Sequence, residues 1–60
     1  MTNADLLKKA GDLYNEVLKE SRSKKTMAEQ DAVWMREDWQ DMLKQLKKAH
    51  MLSTFKHYYY

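Results

Sequence analysis

The stretch AEQDAVWMREDWQDMLKQLKKA, residues 28–49, decides how this chain is read. Its apolar seam is Ala28, Ala32, Met35, Trp39, Met42, Leu46 and Ala49, in alternating steps of four and three. That is a heptad pattern, which keeps one stripe of a helix facing a partner. Immediately before it, Thr26-Met27-Ala28-Glu29 forms a T-x-x-E capping box. Such a box satisfies two free backbone donors and marks a helix start. The spacing predicts one helix over about residues 27–50, extending to Lys56 if Leu52 and Phe55 stay on the apolar side. Glu29, Asp31, Glu37, Asp38 and Asp41 precede Lys44, Lys47 and Lys48, an order that complements the helix dipole.

Upstream, Leu6, Ala10, Leu13 and Val17 recur at helical spacing, with Leu7, Tyr14 and Leu18 as a second stripe. Thr2 or Asn3 can cap this helix, expected over about residues 4–20. Its apolar face is broad enough for two neighbours. Gly11 reads either as a tolerated glycine or as a notch beside Ala10 for a bulky side chain such as Trp39. Residues 21–26 break the periodicity with Ser21, Arg22, Ser23, Lys24 and Lys25, a basic loop short enough to join antiparallel neighbours. The fold class expected is therefore all-α. It is a single domain, 1–60, built as an antiparallel helical hairpin whose second helix is longer, with an aromatic tail over 51–60.

Sixty residues give one small core, rarely yielding more than about 3–5 kcal/mol. Cysteine is absent and the only histidines are His50 and His57, so neither a disulfide nor a closed Cys/His zinc site can staple it. Oligomerisation or a partner remains. Pairing of two hairpins into a dimeric four-helix bundle is expected, with Leu6, Leu13, Met35, Trp39, Met42 and Leu46 as the oligomer seam. Such a bundle is similar in architecture to the RNA-binding hairpin dimer ROP, with no sequence motif in common.

Catalysis has little to stand on. Ser53 and His57 lie four apart, but no third group orients them. There is no Glu-x-x-His motif, and His50 and His57 are too far apart for one metal ion on a single helix. No enzyme activity, cofactor, metal or small-molecule substrate is expected. No apolar run reaches membrane-spanning length, and the first residues do not read as a signal peptide. A cytoplasmic location is expected.

What remains is contact. Trp34 falls off the seam beside Val33, one turn after Met27 and Asp31, with Glu37, Asp38 and Asp41 nearby. Left in water, such a Trp with an acidic rim suits a protein interface; otherwise the broad face of the bundle takes it in or it half-covers the loop. Phe55, Tyr58, Tyr59 and Tyr60 form an aromatic hook for a partner or for the end of the bundle. The expected protein-binding residues are thus Met27, Val33, Trp34, Asp38, Phe55, Tyr58, Tyr59 and Tyr60. The leading expectation is an inhibitor, adaptor or assembly factor of the kind phages, plasmids or compact operons encode. The alternative is a nucleic-acid-binding dimer using Arg22, Lys24, Lys25, Lys44, Lys47 and Lys48 with the basic, aromatic tail. The net charge of +2 is too mild to carry that alternative alone.

Overall fold

The first helix follows its periodicity. In the computed structural model, which describes residues 3–60, α1 spans Asn3–Arg22. It buries Leu6, Ala10, Gly11, Val17 and Ser21 along one face. A cap at Thr2 lies outside the described residues. After α1, two tight backbone bonds, Ser23 N–H to Glu20 O and Lys24 N–H to Ser21 O, both 3.1 Å, turn the chain.

The capping box then opens α2, Met27–Trp34. Thr26 is extended (φ −113°, ψ 154°), and its side chain accepts from the Glu29 N–H at 3.2 Å. Here the sequence expectation fails. The helix stops after eight residues instead of running to residue 50. Arg36 leaves helical geometry at φ −52°, ψ 138°, and α3 starts afresh at Glu37–Lys48.

No Gly or Pro causes this break; packing does. On one continuous helix, Trp34 and Trp39 would point about 140° apart. With the break, both rings lie on Tyr14, at centroid distances of 5.7 and 5.8 Å, and 6.0 Å from each other. The seam loses Ala28, Ala32 and Met35 to solvent, while Val33 is buried and Trp34 half-buried. The exchange buries Val33 and brings Trp34 onto Tyr14 and Trp39, while two alanines and one methionine are left in water. Two polar contacts hold the new geometry. The Gln40 side-chain amide donates to Trp34 O at 2.9 Å, and Arg36 forks onto Asp38.

The end of α3 is sharp. His50 takes the left-handed conformation (φ 58°). Its N–H donates to Lys47 O at 3.1 Å, and Met51 N–H donates to Leu46 O at 2.8 Å. These are the two bonds of a Schellman motif, completed by the burial of both Met51 and Leu46. Glycine is the usual residue in this slot. The left-handed conformation costs an L-residue about 1–2 kcal/mol, and glycine's extra freedom when unfolded costs roughly 0.4–1 kcal/mol. His50→Gly is therefore expected to raise stability by about 0.5–1 kcal/mol in urea denaturation. An unchanged or lower midpoint would contradict this.

The chain then folds back as α4, Leu52–Tyr59. Among the described residues the protein is all-helical: α1 packs on α2, α3 and α4, and α3 packs on α4. The core comprises Leu6, Ala10, Val17, Val33, Trp39, Leu46, Met51 and Phe55. The expected oligomer seam is largely consumed inside one chain. Leu6, Trp39 and Leu46 are buried, and Leu13 and Met42 pack partly buried against them. Only Met35 stands out, 68% exposed.

Candidate interaction surfaces

Most of the aromatic residues expected at an interface belong to an internal cluster. Tyr14 on α1 is its hub, touching Trp34, Trp39, Phe55, Tyr59 and Tyr60 at centroid distances of 5.3–6.3 Å. Phe55 is fully buried and Val33 is 5% exposed, so neither can meet a partner in this fold. Trp34 is half-buried, with one flank on Tyr14 and Trp39. Its replacement would therefore disturb packing as well as any interface.

The aromatic hook docks on its own chain. Tyr59 stacks on Phe55 at 4.8 Å and fills a notch at Gly11. A Cβ on residue 11 would overlap the Tyr59 phenol ring. The notch reading is thus correct in kind, but its occupant is Tyr59 rather than Trp39. A sign reversal follows. In the native chain Gly11→Ala forces Tyr59 outward, a crowding cost of about 1–3 kcal/mol against a helix-propensity gain of about 1 kcal/mol. A net loss of about 1 kcal/mol is expected, turning into a gain of about 1 kcal/mol in a Tyr59→Ala background. Denaturation of the four chains of that cycle tests it. Equal effects in both backgrounds would mean that the notch is not filled.

Arg36 gathers the acids around the α2–α3 break. Its guanidinium binds Asp38 at 2.7 and 3.1 Å and Glu20 at 2.8 Å, with Glu16 at 3.7 Å. Asp38, expected to face a partner, is therefore engaged within the chain, and it also accepts from Trp39 N–H at 2.8 Å. The hydrogen bond with Arg36 holds the Asp38 carboxyl below its ordinary pKa and raises that of Arg36. A lowered folded pKa gives stability that is complete above the ordinary aspartate value. It is lost as pH falls through the folded value. Asp38→Asn is accordingly expected to flatten the acid limb of a Tm-against-pH curve. An identical acid limb in the variant would contradict this.

The exposed surface of α2 is different. Val33 and Trp34 face inward, so Ala28, Ala32 and Met35 point away from the core at about 100° per residue. All three are exposed, as is Met27, which is 78% accessible. Glu29 and Asp31 flank them. This is the front half of the heptad seam, and it stays accessible to solvent. Among the described residues, Tyr58 and Tyr60, 69% and 65% exposed, are the other large accessible apolar side chains. No protein-family model, curated protein or solved structure matches this chain.

The basic residues stay divided. Arg22, Lys24 and Lys25 lie at the α1–α2 turn. The Arg36–Glu20 pair sets the end of α1 beside the start of α3. Lys44, Lys47 and Lys48 sit on the last turns of α3, more than two helical turns further on. Among the described residues, no group of three or more His, Asp or Glu side chains gathers as a metal site. No described helix is long and apolar enough to cross a membrane.

Proposed function

We propose that this chain is a non-enzymatic interaction module that binds a larger protein and modulates it, as an inhibitor, adaptor or assembly factor. One observation carries the reading: Ala28, Ala32 and Met35 keep heptad spacing yet stand in solvent. A seam of that kind suits a helix of a partner, laid along α2. The small alanines allow close approach, Met27 and Met35 supply adaptable apolar contact, and Glu29 and Asp31 favour a basic rim opposite. A homodimer through the heptad would use this same stripe, because Trp39 and Leu46 are already covered.

Photo-crosslinking tests the reading. A photoreactive residue at 32 or 35 is expected to yield one discrete heavier adduct in native lysate, lost on Ala28→Arg. The same group at Lys48 should yield none. An adduct of twice the chain mass points to self-association instead, and indiscriminate adducts from both positions would sink the proposal. Nucleic-acid binding is the weaker reading, because Glu37, Asp38 and Asp41 lie between the two basic groups. It would reveal itself by binding that falls steeply with salt.

A further inference from the structure

Between α3 and α4 runs a groove of about 280 Å³. Gln40, Leu43, Lys44 and Lys47 supply one wall, at steps of three and four along α3. Leu52, Lys56 and Tyr60 supply the other, at steps of four. Leu43 and Leu52 are half-buried and form an apolar floor, while the three lysines stand exposed around it. No acidic side chain lines the groove. The ion pairs that Arg36 makes with Glu16, Glu20 and Asp38 involve none of these lysines. The Lys56 ammonium lies 6.0 Å from the Tyr60 ring centroid, at the edge of cation–π range.

We infer that this groove binds a small amphipathic carboxylate, an acyl or aryl body carrying one negative charge. The apolar body would lie on Leu43, Leu52 and the Tyr60 ring, and its carboxylate among Lys44, Lys47 and Lys56. Lysine stems extend the apolar walls while their ammonium heads stay in water beside the anion. The volume falls just under the range of about 300–1,000 Å³ usual for ligand sites, which selects a small ligand. A bare inorganic anion finds only mobile, hydrated lysines here. A neutral hydrocarbon leaves three like charges uncompensated. Charge and shape together favour the amphiphile over either. The site is separate from the α2 stripe and does not rest on it.

The test is a nuclear magnetic resonance titration of the isotope-labelled full chain with hexanoate, kept below its self-association limit. Saturable shifts confined to Leu43, Leu52, Tyr60 and the neighbouring lysines are expected, at about millimolar affinity for so few ligand atoms. Hexanol and the Lys44→Gln, Lys47→Gln double variant are each expected to show about tenfold weaker binding, as the loss of one or two exposed charge contacts implies. Both replaced side chains are exposed, so the helical circular dichroism should not change. Equal binding of hexanol would overturn the inference, as would the same shifts with inorganic phosphate alone. Shifts spread through the aromatic core, or a double variant that binds as tightly as the native chain, would overturn it too.

Discussion

Trp39→Ala is expected to unfold the chain at room temperature. Trp39 is 2% exposed and touches Tyr14, Trp34 and Phe55, so it ties α3 to the other three helices across the α2–α3 break. Removing a buried Trp costs about 3–5 kcal/mol. A core of this size rarely supplies more than about 3–5 kcal/mol in total, so one substitution consumes it. Far-UV circular dichroism should show most of the helix lost and no cooperative urea transition. Trp39→Phe, which keeps a ring in the cluster, should remain folded with a lowered midpoint. A cooperative transition in Trp39→Ala near the native midpoint would show that the cluster does not hold the fold.

The second large effect concerns α4. Phe55 is fully buried and meets Tyr14, Trp39, Tyr59 and Tyr60. It is the one wholly buried side chain that α4 contributes. Phe55→Ala is expected to cost about 3–5 kcal/mol, close to the whole stability of the domain. Hydrogen exchange would follow the loss, because amides of α4 should lose protection first and those of α1 with them. If α1 and α3 kept native protection while α4 exchanged freely, α4 would be an appendage rather than part of the core.

The sequence was legible where the determinants are local. Thr26 and Glu29 are three apart, and the cap between them forms as their types require. Gly11 left two readings open, a tolerated glycine or a notch, and the sequence did not choose between them. The occupant of the notch could not be read, since Trp39 and Tyr59 are both large and both distant along the chain. The break at Arg36 was hidden for a similar reason. The heptad runs through it without Gly or Pro, and the forces that open it come from Tyr14, Glu16 and Glu20 on another helix. His50 concealed the end of α3, because its residue type gives no strong hint of a left-handed backbone. The tail carried a fainter signal: Leu52, Phe55 and Tyr59 keep helical spacing and pack with the core. As for the surfaces, four of the seven seam residues (Trp39, Met42, Leu46 and Ala49) pack in or against the core, and three (Ala28, Ala32 and Met35) are exposed. Periodicity alone does not say which.

The rings around Tyr14 also make the protein its own optical probe. Two indoles lie within 6 Å of one phenol, close enough for light absorbed by Tyr14 to leave as tryptophan emission. Fixed rings in an asymmetric setting give near-UV dichroism, whereas the helices report in the far-UV. Loosening of side-chain packing and melting of the backbone should therefore appear at separate wavelengths in one unlabelled sample. A ligand that touches only the outer face of α2 should leave both signals in place, and one that prises α4 from α1 should extinguish the first before the second.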